Sequence, residues 1–310
     1  MDMALKIGLV GLGKIAVDQH LPAIRGNQGL ELVAGCSPAS APEGVLRYPD
    51  MGSMLAAHPE IEAVAICTPP QVRHQLACEA IAAGKHVFLE KPPAATLGDA
   101  ASIAAMAAQH GVTALAGWHS RFAPAVESAR NWMLERPIKS VRIRWKENVR
   151  QWHPGQKWIF EAGGMGVFDP GINALSILTH LLGGCALVRK AALHVPSNCS
   201  APIQAELEMV SERGIPIDAE FDFLQTGQQT WSIFVDSVAG DTMALHLGGR
   251  IMEVNGKVVL DEPEREYPSM YEHFRRLVAN RRSDLDFTPL QAVADAFLVG
   301  KLSSAEPYIE

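Results

Sequence analysis

The chain has 310 residues, 48% of them hydrophobic and 20% charged, which is the composition of a globular protein with room for two domains. Its formal net charge of -7 argues against a nucleic-acid partner, because phosphate binding needs a basic face. No apolar run approaches the roughly 18 residues of a membrane span, so we expect no membrane partner.

The cysteines number five and include no CxxC pair. They predict reduced thiols rather than a disulfide framework. A strand begins within the first few residues, and no basic, cleavable leader precedes it. We therefore expect a cytoplasmic protein. Because the sequence has no HExxH motif and no carboxylate cluster at ligand spacing, it predicts no metal site.

In the first part of the chain, short apolar strands alternate with helices. Strands that are apolar throughout are typical of a parallel sheet covered on both faces. The pattern predicts an α/β, doubly wound Rossmann domain that binds a dinucleotide, over residues 1–120. Its predicted elements are strands at 5–13, 30–37, 62–70, 86–90 and 112–118, and helices at 14–25, 71–85 and 96–111.

In the remainder of the chain, strands predominate and several alternate polar with apolar residues. This alternation indicates antiparallel strands with one buried face. The sequence therefore predicts an α+β domain over residues 121–310. Its predicted elements are strands at 140–149, 186–195, 203–211, 215–224, 230–238 and 242–254, and helices at 123–135, 167–182 and 268–303.

The first strand ends in the pattern Gly11-x-Gly13-x-x-Ala16. Glycines here permit a tight turn and close approach of a pyrophosphate, whose charge suits the N-terminus of the following helix. Lys14 and Ile15 begin that helix and are candidate cofactor contacts. A lone pattern of this kind is weak evidence, and a turn that binds nothing is the alternative. Its place between a strand and a helix favours the cofactor.

The second predicted strand ends at Ser37, where enzymes selective for NAD carry an acid that binds the ribose. A serine does not repel the 2′-phosphate of NADP and can donate to it. Pro38 follows, so no arginine stands directly beside the serine. NADP is permitted and the preference between NAD and NADP stays open; Ser37 as a simple turn residue is the alternative.

The third predicted strand ends in CTPP (67–70), at the edge where such sheets hold ligands. Thr68 and Pro69 are candidates for the cofactor trench, and His74 follows one turn into the next helix. The alternative is a strand stop followed by a helix-starting proline.

The fourth predicted strand runs into Glu90-Lys91-Pro92-Pro93, which places a lysine at the same cofactor edge and makes Glu90 and Lys91 candidate cofactor contacts. Partial desolvation and a positive nicotinamide ring both favour the neutral amine. Such an amine can accept a proton from a hydroxyl while hydride leaves the same carbon. A solvated lysine at a strand end is the alternative.

The helix predicted at 167–182 begins with Asp169 and Asn173, which lie four residues apart and so project from one face. A polar pair at the start of an otherwise apolar helix, after a glycine-rich entry, suits a polar ligand. The alternative is that Asp169 is only an N-cap, with Pro170 as the first helical residue.

Aromatic and polar residues are interspersed between 145 and 158. Aromatic faces with nearby polar groups suit a sugar ring, because its C–H face stacks and its hydroxyls form hydrogen bonds. For any single tryptophan, core packing is the alternative. The candidate sugar contacts are His119, Glu147, Trp152, His153 and Trp231.

Taken together, these motifs resemble the glucose–fructose oxidoreductase/inositol dehydrogenase (Gfo/Idh/MocA) family over the whole chain. The stretches GWHSR, WKENVRQWHPGQ and GVFDPGINALSILTH are more specific, and resemble the bacterial sugar 1-dehydrogenases of that family, which act on D-galactose or L-arabinose. The resemblance implies a C-terminal domain built on an open, mostly antiparallel sheet that binds substrate and forms a homo-oligomer, dimer or tetramer. It also implies a cis bond before Pro92.

The same resemblance implies oxidation of an aldopyranose at C1 to the lactone with NAD or NADP. Lys91 would then contact the nicotinamide ribose and the sugar, and accept the proton alone or with Asp169. Many relatives have histidine where this chain has Asn173, which removes the simplest histidine base. The alternatives are another polyol or diol dehydrogenase of the family, or a nonenzymatic NAD(P)-binding sensor.

Overall fold

The computed structural model describes residues 4–38 and 42–310. The chain divides into two compact units. The first contains the residues up to His119 together with Tyr267–Phe287, and the second contains Ser120–Glu266 together with Thr288–Glu310. The segment Tyr267–Phe287, which the sequence places in a domain over 121–310, therefore clusters with the first unit.

In the first unit, the described residues form a six-stranded parallel sheet with the order β3-β2-β1-β4-β5-β6. This is the Rossmann order, in which ligands bind at the carboxyl ends of the strands near the reversal of order. The predicted doubly wound fold is confirmed. The strands are β1 (Leu5–Val10), β2 (Leu30–Cys36), β3 (Arg47–Tyr48), β4 (Ala63–Ile66), β5 (His86–Glu90) and β6 (Ala114–Gly117).

Two elements of this unit were not predicted, namely the short strand β3 and the helix that follows it. The predicted helix at 14–25 is confirmed in extent, with a π-helical turn, Ala16–His20, in its middle. The helices are α1 (Leu21–Arg25), α2 (Met51–Ala57), α3 (Pro70–Ala82), α4 (Leu97–His110) and, near the C-terminus, α8 (Glu266–Ala279).

The prediction of one helical region at 268–303 was wrong. Helix α8 ends before Arg281, whose φ of 51° is left-handed and cannot continue a helix. The chain then runs beside β6, where Asp284 N–H donates to Ala114 O (2.9 Å) and Asp284 O accepts from Ala116 N–H (2.8 Å). A second helix, α9 (Thr288–Val299), and a strand, β15 (Gly300–Ala305), complete the chain.

In the second unit, the described residues form a nine-stranded sheet with the order β14-β13-β12-β11-β7-β10-β9-β8-β15. Only the pairs β7–β10 and β8–β15 are parallel, so the predicted mostly antiparallel sheet is confirmed. The remaining elements are β7 (Ile138–Lys146), β8 (Ala186–Pro196), β9 (Gln204–Ser211), β10 (Pro216–Asp222), β11 (Thr230–Ser237), β12 (Thr242–His246), β13 (Ile251–Val254), β14 (Lys257–Asp261), α5 (Val126–Leu134), α6 (Val149–Trp152) and α7 (Phe168–Leu182).

The single strand predicted at 242–254 is a hairpin. Leu247, Gly248 and Gly249 have φ values of 48°, 71° and 96°, so the backbone turns between β12 and β13. The sequence predicts one strand here because the apolar alternation continues through the turn. Strand β14 was not predicted.

Helix α7 is the core of the second unit and is buried along almost its whole length. It lies close to the sheet because it carries Gly171: a Cβ there would come within 2.7 Å of the Phe221 ring. This close approach fixes the helix start, where the candidate site residues lie. No helix in the described part of the chain is long and apolar enough to cross a membrane.

Candidate functional site

The glycine turn after β1 is tightly packed at its first glycine and open at its second. Gly11 has a φ of 90° and donates its N–H to Cys36 O (2.9 Å). A Cβ on Gly11 would lie 3.0 Å from Thr68 Cγ2, whereas a Cβ on Gly13 would meet no protein atom within 4 Å. Packing therefore requires glycine only at Gly11. The open space at Gly13 is what close approach of a ligand needs.

Thr68 provides a second indication of a ligand beside this turn. It follows β4, and its Oγ1 is buried without a hydrogen-bond partner among the residues that the structure describes. A buried hydroxyl without a partner is costly unless a ligand or water satisfies it. Together with the glycine turn, this hydroxyl fits a bound dinucleotide. Pro69 is the N-cap residue of α3.

At the end of β2, the structure places an arginine that the sequence analysis missed. Arg47 Nη1 donates to the Ser37 carbonyl (2.8 Å). Arg47 lies on β3, which pairs in parallel with β2, and so reaches Ser37 from ten residues further along the chain. The ribose end of the candidate site therefore carries a positive charge, although no arginine follows Ser37 directly.

The other predicted cofactor contacts of the first unit lie nearer the surface. Lys14 is paired with Asp18. Ile15 is exposed. His74 lies on α3 and its Nε2 is 3.0 Å from Ser102 Oγ on α4. The structure thus directs this ring toward a neighbouring helix.

Glu90, at the end of β5, is the centre of a buried hydrogen-bonded group that we call the Glu90 trio: His20, Glu90 and Tyr267. Glu90 Oε1 is 3.1 Å from His20 Nε2 and accepts from Tyr267 OH at 2.6 Å. Its other oxygen, Oε2, accepts from the Lys91 N–H at 2.8 Å. Tyr271 OH lies 2.7 Å from His20 Nδ1. The Glu90 trio thus links α8 to the candidate catalytic lysine.

Both ionisable members of the Glu90 trio are charged at neutral pH. Burial opposes the imidazolium, but Cys67 and Glu90 outweigh it and raise the pKa of His20. Burial likewise opposes the carboxylate, but the hydrogen bond and charge of His20 outweigh it and lower the pKa of Glu90. Each ion is stabilised by the other, as buried charges must be.

The main chain on either side of Lys91 is held by Arg73, which is 2% exposed. Its Nη1 donates to the Glu90 carbonyl (2.5 Å) and to the Pro92 carbonyl, and its Nη2 donates to the Thr68 carbonyl. The Lys91–Pro92 bond is cis, as the family resemblance implied. The lysine itself is half-buried.

In the second unit, Glu147, His153 and Trp231 form a similar group, the Glu147 trio. Glu147 Oε1 is 2.8 Å from His153 Nε2, and Oε2 accepts from Trp231 Nε1 at 2.7 Å. Strands β7 and β11 place Trp231 opposite Trp145, since the two residues are paired in register. The structure therefore brings three of the predicted sugar contacts together.

Asp169 extends this group. Its Oδ2 lies 3.8 Å from His153 Nδ1, and the residue is 4% exposed. Helix α7 begins at Phe168 with Val167 as its N-cap, so the alternative that Asp169 is the N-cap is wrong. Asn173 lies one turn further along α7 and is half-buried.

The two remaining predicted sugar contacts lie in different units. Trp152 is 37% exposed, and its ring packs edge-on against Trp231 with 4.9 Å between centroids. It therefore belongs with the Glu147 trio. His119 belongs to the first unit, where its ring stacks on Tyr267 at 5.3 Å.

The residues that support Glu90 in the Glu90 trio were not among the predicted site residues. One signal could have found His20: it stands between Ala16 and Ile24 at four-residue spacing, where an apolar residue is expected. Tyr267 and Tyr271 form a similar stripe on α8. Nothing local links the two stripes, because they are about 250 residues apart.

Comparison with known proteins places this geometry in context. Residues 5–118 match the GFO_IDH_MocA model, described as an oxidoreductase family with an NAD-binding Rossmann fold. Galactose 1-dehydrogenase of Pseudomonas fluorescens is 44% identical over 306 residues, which cover 99% of each chain.

Comparison with solved structures gives the same result as the sequence comparison. The crystal structure of D-galactose-1-dehydrogenase from Rhizobium etli has a TM-score of 0.95 and 47% identity, and the match covers 100% of this chain and 99% of that one. A 3-ketoreductase from Actinomadura kijaniata, solved with NADP and TDP-benzene, has a TM-score of 0.85 at 14% identity, over 97% of this chain and 99% of that one. The second match shows the shared fold alone.

Proposed function

The chain belongs to the GFO_IDH_MocA family of NAD-binding oxidoreductases, and on that premise we propose that it oxidises C1 of an aldopyranose, D-galactose or L-arabinose, to the lactone. The observation that carries the proposal is the Glu147 trio with Asp169 beside it, in a chain 44% and 47% identical to two proteins named galactose dehydrogenases. The two sugars have the same configuration at the ring hydroxyls, so one site can accept both.

In this proposal the Glu147 trio recognises the sugar. Trp231 and Trp152 offer aromatic surface to a C–H face of the ring. Both oxygens of Glu147 are engaged by its two partners, so this carboxylate fixes the orientation of His153 and Trp231. His153 and Asn173 then bond the ring hydroxyls.

Proton transfer is assigned to Lys91, directly or shared with Asp169. The C1 hydroxyl donates to these groups, and Lys91 accepts its proton. Bound NAD(P)⁺ supplies the hydride acceptor.

The cofactor proposal is that NADP is accepted at least as well as NAD. An acid that would repel the 2′-phosphate is replaced by Ser37. The guanidinium of Arg47, bonded to the Ser37 carbonyl, adds a positive charge of the kind that binds phosphate.

The test is the initial rate of cofactor reduction with D-galactose and with L-arabinose, each with NAD⁺ and NADP⁺. D-Glucose, which differs from D-galactose only at C4, is the matched control, and mass spectrometry identifies the lactone. Turnover with either sugar, well above that with D-glucose, supports the proposal. Turnover only with polyols or diols favours the family alternative. Cofactor binding without any turnover favours a sensor.

A further inference from the structure

The Glu90 trio contains two buried charged groups, and their removal from water costs free energy that needs an explanation. The side chains of His20 and Glu90 are 0% and 4% exposed. Their surroundings are aromatic, with the Phe88 ring 5.4 Å from the His20 ring. Replacement of a buried ion pair by well-packed apolar residues is often neutral or stabilising. Stability alone therefore does not account for this pair.

The second Glu90 oxygen indicates what the pair does. Oε1 is held by His20 and Tyr267, and Oε2 accepts the backbone N–H of Lys91 at 2.8 Å. A carboxylate can accept at both oxygens at once, which an apolar side chain cannot do at either.

The main chain around Lys91 is held at a second point. Arg73 donates to the carbonyls of Glu90 and Pro92, which flank the lysine. Pro93 follows without an N–H. The N–H of Lys91 and the two flanking carbonyls are thus all fixed by buried charged side chains.

We propose that Glu90 is a positioning residue: the Glu90 trio anchors its carboxylate, and the carboxylate fixes the main chain from which the Lys91 side chain extends. Glu90 does not take part in the chemistry itself. The inference rests on the proposed function for the catalytic importance of Lys91, but the anchoring itself does not. Helix α8 contributes to this anchoring, since it carries Tyr267, which bonds Glu90, and Tyr271, which contacts His20.

Two substitutions at Glu90 separate positioning from packing. Glu90→Leu keeps the volume and removes the acceptor. Glu90→Gln removes the charge, but its amide oxygen can still accept from Lys91 N–H while its NH₂ turns toward a neutral His20. We expect Glu90→Leu to lower kcat by about 10- to 100-fold, because a small misplacement of a reacting group has an effect of this size. Glu90→Gln should recover most of that loss, with the dissociation constant of the cofactor unchanged.

Hydrogen exchange of the Lys91 amide tests the anchoring without any substrate. Pro92 and Pro93 have no amide hydrogen, so the Lys91 amide is readily resolved in a short peptide. Exchange should be slow in the wild type and in Glu90→Gln, and faster in Glu90→Leu. Tyr267→Phe, which deletes one bond to Oε1, gives a smaller increase and serves if Glu90→Leu does not fold. Tyr48→Phe, in the same unit but bonded to His58, is the matched control.

The outcomes are distinct. Equal kcat values in Glu90→Leu and Glu90→Gln, or unchanged amide exchange in Glu90→Leu and Tyr267→Phe, would overturn the inference. A different result would be faster amide exchange in Glu90→Leu together with a wild-type protein that oxidises no sugar. That result would support the anchoring and refute the proposed function.

Discussion

The Glu90 trio and the Glu147 trio are built from nearly the same parts. Each has a glutamate bonded to a histidine and to the donor of an aromatic side chain. They differ in exposure: the His20 side chain is fully buried, whereas that of His153 is 15% exposed and the neighbouring Trp152 is 37% exposed. The comparison teaches that burial, not residue type, separates the closed group that holds the Lys91 main chain from the partly exposed group that we propose contacts the sugar.

The largest expected effect tests the residue that the Glu90 trio anchors. Lys91→Ala should lower kcat by about 10²–10⁴-fold, the usual contribution of a general base. The cofactor dissociation constant should change little, because the glycine turn and Thr68 remain. Steady-state kinetics and cofactor titration measure both. Near wild-type turnover in a folded Lys91→Ala variant would refute the assignment.

The next prediction tests Asp169, which lies beside the Glu147 trio, as part of the proposed sugar site. Asp169→Asn keeps the shape and removes the charge beside His153, so kcat/KM for the sugar should fall by about 10²-fold if the carboxylate shares the proton. Asp218→Asn, the same change at an exposed position of β10, is the control and should have no effect. Equal kinetics for the two variants would remove Asp169 from the site.

The Glu90 trio should make the free energy of unfolding depend on pH. The pKa of His20 is raised from 6.5 to about 9, so its charge stabilises the fold fully below pH 6.5, and this contribution is lost as the pH rises through about 9. The pKa of Glu90 is lowered to about 2, so this carboxylate stays ionised across the whole range. Cys67 and Tyr271 also face the imidazole.

We therefore expect the unfolding free energy of the wild type to fall between pH 6.5 and 9 relative to that of His20→Gln, by on the order of 1–3 kcal/mol. Denaturant unfolding at several pH values measures the difference. Parallel curves for the two proteins would mean that His20 is neutral.

A smaller effect is expected at the ribose end of the cofactor site. Arg47→Ala should lower kcat/KM for NADP by about tenfold or more and leave that for NAD within about twofold, because a charge-assisted bond to phosphate contributes roughly 1.5–3 kcal/mol. Arg25→Ala, which removes bonds to the Glu43 and Gly44 carbonyls, is the control. An unchanged ratio of kcat/KM for NADP to kcat/KM for NAD would exclude Arg47 from phosphate recognition.

The smallest effect concerns the exposed edge of the Glu147 trio. Trp152→Phe should raise the KM for the sugar by only a few-fold and leave kcat unchanged, since the smaller ring still offers an aromatic face. The cofactor KM is the internal control. A loss in kcat equal to that of Asp169→Asn would show that Trp152 positions the reacting groups.

Local patterns in the sequence were sufficient for much of the fold. The apolar strands and their spacing identified the Rossmann sheet, and strand β5 was predicted with its correct bounds, His86–Glu90. The apolar stripe and glycine-rich entry identified α7 within one residue. Periodicity did not predict short interruptions of regular structure. The turn at 247–249 and the irregular stretch after Arg281 were missed because the apolar pattern continues on both sides of each.

The sequence by itself determined the class of domain, the glycine turn, the position of Lys91 at a strand end, and the polar residues of 147–173, since each follows from neighbours in the chain. Only the tertiary structure decided which of them meet. Glu90 is bonded to residues 70 and 177 positions away, and Arg47 reaches Ser37 from an adjacent strand. Such pairings arise when strands and helices pack, and packing then buries both His20 and Glu90 in one trio but leaves His153 of the other trio partly exposed. Neither outcome is present in any local pattern.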